Sequence, residues 1–191
     1  MKILIKVLVI LALAVGGLVV LASTRPDDFR VERSTQSSAN PTQLFAQIND
    51  FHAWEAWSPW AKLDSSMETK YDGAKSGIGA GYAWSGNSKV GQGAMRIVDS
   101  TPESKVTIQL EFLKPFKASN RTTFTLTPHQ NGIRISWTME GKNHFMSKVM
   151  GLFMDMDKMI GSDFERGLSN LKAVAERSTA TAMENAASAA R

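Results

Sequence analysis

Hydrophobic and polar positions follow three different rhythms along the chain. Residues 7–22 are sixteen consecutive positions without a charge, preceded by Lys2 and Lys6. With residues 3–5 included, the apolar stretch is about twenty residues, enough for a helix to cross a hydrocarbon core of ~30 Å. Lys6 has the reach to place its ammonium at the interface. A cleaved signal peptide has the same basic start and apolar middle, and Val20-Leu21-Ala22 before Ser23 is a passable cleavage site. The run exceeds the usual signal-peptide core of about 7–15 residues, which favours an uncleaved anchor. Either reading exports the remainder of the chain. Lys2 and Lys6 favour a cytoplasmic N-terminus, although Arg25, Arg30 and Arg33 beyond the span weaken that charge argument.

After a polar linker the rhythm becomes alternating. Phe29, Val31 and Arg33 take one side, and Arg30, Glu32 and Ser34 the other, which predicts a first strand. Asn40-Pro41 reads as N-cap and first helical position, opening a short helix with Leu44, Phe45 and Ile48 on one face. A second helical piece spans 51–57 and stops before Ser58-Pro59. Six further strands are predicted over 67–71, 79–84, 90–99, 105–113, 117–127 and 133–141. They are separated by turn signals such as Asp72-Gly73 and Asn131-Gly132. The strand at 105–113 alternates cleanly, with Val106, Ile108, Leu110 and Phe112 against Thr107, Gln109 and Glu111. One-sided alternation of this kind belongs to an antiparallel sheet with one wet face and one covered face.

The third rhythm is helical. From 144 to 177, Val149, Leu152, Phe153, Met156, Ile160, Phe164, Leu168, Leu171 and Val174 recur at spacings of three and four. A single helix of this length is about 50 Å long and crosses a whole sheet. Residues 178–191 are Ala/Ser-rich with nothing evident to pack, and are expected to be disordered. The organisation expected is thus a transmembrane signal anchor at 1–24, one domain at 25–177 and a tail at 178–191. The fold class is α+β: a curved antiparallel sheet of about seven strands folded round a long C-terminal helix, with two short helices after the first strand.

The chain has 191 residues and a formal charge of +4, and it has no cysteine. Disulfides, thiol catalysis, cysteine-based zinc sites and an N-terminal lipid anchor are therefore excluded. Without the two end segments, 19 basic and 17 acidic side chains remain, with no Lys/Arg run. A phosphate-neutralising stripe is missing, which argues against nucleic acid as a partner. Seven of the fourteen glycines fall between Gly73 and Gly93. Gly77, Gly79 and Gly81 have the spacing G-x-G-x-G with no following G-K-[ST], so they are read as points of sheet bending rather than a nucleotide loop. His52, His129 and His144 lie on separate elements, so no metal site and no cofactor are expected. Asp50, Glu55, Asp64 and Asp163 are the carboxylates that acid/base chemistry could recruit, but capping and solvation explain them as well.

Two side-chain groups stand out. Trp54, Trp57 and Trp60 place three of the five tryptophans within seven residues. They form either the mouth of an apolar site or the plug of a core. Met146, Met150 and Met154 make a second row beside the main helical stripe, which lines a cavity, meets a membrane or packs as core. Asp155, Asp157, Lys158 and Glu165 read as the solvated face.

The ordered set of FRVERS at 29–34, Asn40-Pro41 through Phe51, WEAWSPW at 54–60, YAWSGN at 82–87, VGQG at 90–93, and Ile160-Gly161 through Phe164, Gly167 and Leu171 resembles the START-like (SRPBCC, helix-grip) superfamily. The nearest subgroup is polyketide cyclase/dehydrase and lipid transport, over about residues 29–176. The resemblance implies a strongly curved sheet gripping the helix and a deep hydrophobic cavity between them. Its expected lining is Trp54, Trp57, Trp60, Tyr82, Trp84, Leu110, Phe112, Phe124, Trp137, Met139, Met146, Met150, Phe153 and Met154. The implied role is a membrane-anchored carrier or sensor of a hydrophobic small molecule or lipid, on the extracytoplasmic (periplasmic) side and with no catalytic residue named. The alternative is an enzyme of cyclase/dehydratase type. The carrier reading requires a hollow between sheet and helix.

Overall fold

The structure, a computed structural model, describes residues 2–189. Helix α1 (Lys2–Ser23) is the apolar segment, 22 residues long and almost wholly exposed. Then come β1 (Asp28–Ser37), α2 (Pro41–Asn49) and a 3-10 helix (Phe51–Ala56). Six strands follow: β2 (Glu68–Asp72), β3 (Gly81–Ser85), β4 (Gln92–Thr101), β5 (Lys105–Lys114), β6 (Ala118–His129) and β7 (Gly132–Lys142). The chain closes with α3 (Phe145–Met150) and α4 (Met156–Ala189). Asn40 caps α2 as its sequence position predicts, its side chain accepting from the Thr42 N–H at 2.9 Å, with Pro41 next.

The seven strands form one antiparallel sheet in the order β1-β7-β6-β5-β4-β3-β2. Each consecutive pair from β2 to β7 is a hairpin or meander step, and β1 closes the far edge against β7. A bulge in β4 between Ile97 and Asp99 leaves Val98 unpaired and bends the sheet there. Register assigns the inner face in rows. Arg33, Trp137, Phe124 and Val106 make one row, and Val31, Met139, Thr122, Ile108 and Ile97 the next. The third row runs Phe29, Gly141, Asn120, Leu110, Met95, Tyr82, Tyr71, and the fourth Ala118, Phe112, Gly93, Trp84.

The C-terminal stripe does not form one helix. Gly151 caps α3 and a turn intervenes. Asp155 then opens α4, its carboxylate accepting from the Lys158 N–H at 3.0 Å. Residues that share a stripe on paper are thereby separated: Phe164, Leu168 and Leu171 are buried, whereas Phe153 is 73% exposed. At its other end α4 runs through the segment expected to be disordered, as far as Ala189. Alanine-rich sequence is a strong helix former, and Thr179 accepts from the Asn40 N–H at 3.1 Å.

Helix α4 lies along β1 and also meets α2, β7 and the 3-10 helix. Two clamps hold it. Arg33 donates to Glu165 at 2.9 Å and Asp157 at 2.8 Å, so these two acids of the solvated face are also ion-paired. Glu176 accepts from the Ser38 N–H at 2.9 Å and from the Ser37 and Ser38 hydroxyls at 3.0 Å. Burial pushes the Glu176 carboxyl up, but these three donors outweigh it and hold the group below its ordinary value.

Candidate functional site

The space between sheet and α4, where the family resemblance implies a cavity, is filled by aromatic rings. Trp137 on β7 stacks flat on Phe164 of α4, with centroids 4.1 Å apart and planes 6° from parallel. Phe124 lies 4.6 Å from Trp137, and Trp54 lies 4.6 Å from Trp57. Edge contacts at 5.8–6.3 Å join these two pairs. Every indole N–H has an acceptor within the chain: Ile48 for Trp54, Gln47 for Trp57, Thr122 for Trp137, Val90 for Trp84 and Asp163 for Trp60. Gly167 admits this packing, since a Cβ there would lie 2.7 Å from the Trp137 ring. Phe124 and Trp137 of the first row, with Trp54 and Trp57 from the 3-10 helix and its cap, are thus core side chains, and Met139 is buried beside them. Trp60 edges onto the same stack from outside, 5.7 Å from Trp137.

Beyond α4 the inner face changes character. In the third and fourth rows, Tyr71, Tyr82, Trp84 and Phe112 form a continuous strip. Centroids are 5.3 Å apart for Tyr71–Tyr82, 6.1 Å for Tyr82–Trp84 and 5.9 Å for Trp84–Phe112. Tyr71 is 38% exposed, and Tyr82, Trp84, Phe112 and Met95 are only partly covered. At its outer end the imidazole of His52 stacks on Tyr71 at 4.0 Å, and Phe51 comes within 6.0 Å of Tyr82. Leu110, 9% exposed, is the floor where the strip joins the core. The strip depends on a bare backbone at Gly93, between Trp84 and Phe112 in register. A Cβ there would run into the Trp84 indole and lie 2.5 Å from the Glu111 carbonyl oxygen.

The strip is weakly polar. Burial pushes the Tyr82 hydroxyl up to about 12, and Tyr71 shifts upward for the same reason. At the foot of the strip, in register with Leu110, Asn120 has a buried carboxamide oxygen without a partner among the described residues. Of the four carboxylates open to acid/base work, Asp50 caps the 3-10 helix by accepting from the His52 N–H at 2.9 Å. Asp163 pairs with Arg166, and Glu55 faces solvent. Asp64 accepts from the Asn87 N–H at 2.7 Å and from Ser66 through its hydroxyl and N–H. Those donors hold its carboxyl below the ordinary range and tie the 57–67 loop to the β3–β4 turn beside Trp84. Among the described residues no cluster of three or more metal-ligating side chains occurs.

The remaining expected lining residues lie elsewhere. Met146, Phe153 and Met154 are exposed, and Met150 is partly covered, on α3 and the turn after it. The break before α4 carries them away from the stripe that meets the sheet. An open depression of about 550 Å³ occupies the outer face instead, between Arg30, Arg121, Glu140 and Lys142. Tyr71 and Met95 join the strip although no motif singles them out. Alternation assigns each a face, but only strand register brings them beside Tyr82.

A seven-stranded antiparallel sheet bent over a long C-terminal helix defines the helix-grip class. The model of the polyketide cyclase/dehydrase and lipid transport family matches residues 28–176, and the chain belongs to that family. Solved structures share the fold. A Chromobacterium violaceum protein is 18% identical with a TM-score of 0.55, covering 80% of this chain and 99% of its own. A Rhizobium loti protein is 20% identical with a TM-score of 0.55, covering 77% and 95%. A hypothetical protein of Helicobacter pylori is 10% identical with a TM-score of 0.60, covering 78% and 89%. At such identities the likeness is one of fold. No curated protein matches the sequence.

Proposed function

We propose that this protein is a membrane-tethered carrier or sensor that holds a hydrophobic molecule on the open aromatic half of its sheet. The observation that carries this reading is the strip Tyr71–Tyr82–Trp84–Phe112, four rings in contact on the inner face and left partly bare beyond α4. Ring faces offer large apolar area at little conformational cost, and covering them gains ~25 cal/mol per Å² removed from water. Leu110 and Met95 supply the floor. Family membership supports a lipid or polyketide-like guest. The tether is α1, on the reading that it stays attached, which puts the domain on the extracytoplasmic side.

Catalysis has less support. A general base works best with a pKa near the operating pH. Tyr82 is displaced in the opposite direction, and Asp50, Asp64 and Asp163 are committed to local hydrogen bonds and an ion pair.

The test is a binding titration of the full chain in amphipol with fatty acids, sterols and aromatic polyketides, read by tryptophan emission. Saturable binding of at least one class is expected. Trp84→Ala should weaken it about tenfold, the equivalent of ~1.4 kcal/mol of lost ring contact. Absence of saturation across the panel, or unchanged affinity in Trp84→Ala, refutes the assignment.

A further inference from the structure

The apolar side chains that do not reach the sheet are gathered at one end of the molecule. Phe145 is 50% exposed, Met146 53%, Phe153 73% and Met154 44%, all on α3 and the turn after it. Phe116, 58% exposed, projects from the β5–β6 turn. Register puts the two groups at the same end. Asp28 pairs with Lys142 where β1 begins and β7 stops, and Phe112 pairs with Ala118 beside the β5–β6 turn. The open strip lies in the two inner rows nearest this end.

Helix α1 arrives here too. Only four residues separate it from β1. It packs against α3, and its shielded residues are Leu18 and Ala22, which places the contact at its last turns. Asp27 forms an ion pair with Lys148, whose side chain is 11% exposed, and this locks α3 to the linker. Residues 18–22 close the apolar run. An element packed on them therefore stands at the level where a membrane span leaves the hydrocarbon. Lys114 and Lys117 flank Phe116 in the β5–β6 turn, as suits contact with acidic headgroups, while Lys142 at the same end is paired with Asp28.

We infer that α3, the turn after it and the β5–β6 turn form a bilayer-docking surface, with Phe145, Met146, Phe153, Met154 and Phe116 inserted at the headgroup–acyl boundary. This rests on the reading of α1 as a retained membrane span. It deepens the proposed function, because the docked end is the one at which the aromatic strip opens. The ligand then belongs to the class of bilayer amphiphiles and enters from the membrane rather than from water.

The chain has no cysteine, so single labels are unambiguous. Phe153→Cys, Phe116→Cys, Met183→Cys and Val9→Cys variants of the full chain, each carrying an environment-sensitive fluorophore, are placed in phosphatidylcholine vesicles with about a quarter phosphatidylglycerol. Labels at 153 and 116 should be quenched by shallow lipid-borne quenchers and protected several-fold from aqueous iodide. The label at 183, on the far end of α4, should show the reverse, and the label at 9 should respond to deep quenchers. A lipid-buried label at 9 with water-exposed labels at 153 and 116 overturns the docking surface and leaves the anchor standing. A label at 9 outside the lipid overturns the anchor and the docking surface together. Protection of 153 and 116 from iodide without lipid quenching shows a protein–protein contact instead, and likewise overturns the inference.

Discussion

Replacing Phe164 with alanine tests whether the space under α4 is filled. The ring is 2% exposed and lies flat on Trp137 at 4.1 Å, with Trp60 edge-on at 6.5 Å. Loss of its transfer free energy costs roughly 2 kcal/mol. Loss of the ring pairing costs about another 1 kcal/mol. If the surroundings do not collapse, the hole is on the order of 100 Å³, which at ~24 cal/mol per Å³ adds about 2 kcal/mol. Alanine recovers roughly 0.5 kcal/mol through its helix propensity. The expected loss is therefore about 4.5 kcal/mol, within the ~3–5 kcal/mol found for buried Phe→Ala changes. At ~2–4 °C per kcal/mol for a domain of this size, the melting temperature should fall by about 9–18 °C. Urea unfolding of the full chain in mild detergent, followed by tryptophan fluorescence, measures the change. Phe153→Ala is the control and should stay within ~0.5 kcal/mol, since that ring is exposed. Saturating benzene should recover part of the loss in Phe164→Ala by occupying the new hole. A loss below about 1 kcal/mol would refute the argument, because it would mean that Trp137 already borders loose or solvated space. The ligand site would then return to the position under α4.

Three further outcomes concern the site's surroundings. Gly93→Ala should cost ~1–3 kcal/mol through overpacking against Trp84 and the Glu111 backbone, and should shift the tryptophan emission; an unchanged urea midpoint would show that Trp84 does not lean over that glycine. The Asp64 carboxyl is held low, so its contribution to stability is complete above the unfolded carboxylate value of ~3.9 and is lost as pH falls further towards the folded value. Asp64→Asn should therefore flatten the acid limb of the urea midpoint below about pH 4, and an identical limb in both proteins would discard the Asn87–Asp64–Ser66 tie. Both tyrosines titrate late, Tyr82 at about 12, so the folded protein binds more protons than the unfolded chain above the ordinary value of ~10. Stability should fall as pH rises through that window, and ultraviolet difference absorbance should show tyrosinate appearing later than in Tyr82→Phe. Simultaneous appearance at the ordinary value would place Tyr82 in full contact with water.

Features that depend on local periodicity were legible in the sequence. Alternation at 105–113 and 133–141 specifies the strands and their inner faces, because side chains on a strand have a period of two whatever the partner strand. Asn40-Pro41 specifies the start of α2, because an N-cap acts over three residues. The break at Gly151–Asp155 carries signals of the same kind, a glycine and an N-capping aspartate, but the apolar spacing of three and four runs straight across it. The stripe therefore reads as one helix, and it assigns Phe153 to an interior that it never reaches. The proposed docking role of Phe153 and Met154 comes from position instead. They follow α3, which packs against α1, a juxtaposition no periodicity of either segment could specify.

The location of the proposed site is hidden for a related reason. Trp54, Trp57, Trp137 and Phe124 have the composition of a ligand pocket, yet two of the four are brought by β6 and β7 and two by the 50–57 segment, and together with Phe164 they close on one another. Composition cannot distinguish rings that face a guest from rings that face each other. Coverage does distinguish them: α4 lies along β1 and β7, so rows of the sheet on the β2–β5 side keep their aromatic side chains without a lid. Tyr82, Trp84 and Phe112 occupy those rows, and Tyr71 joins them only because β2 pairs with β3 in the register that sets Tyr71 against Tyr82. An edge hairpin well away from the helix is thus where apolar area remains to be buried by something other than the protein. A sheet that leaves four contiguous rings partly wet has an unused source of binding free energy, and it lies at the end of the molecule where α1 joins the domain and meets α3.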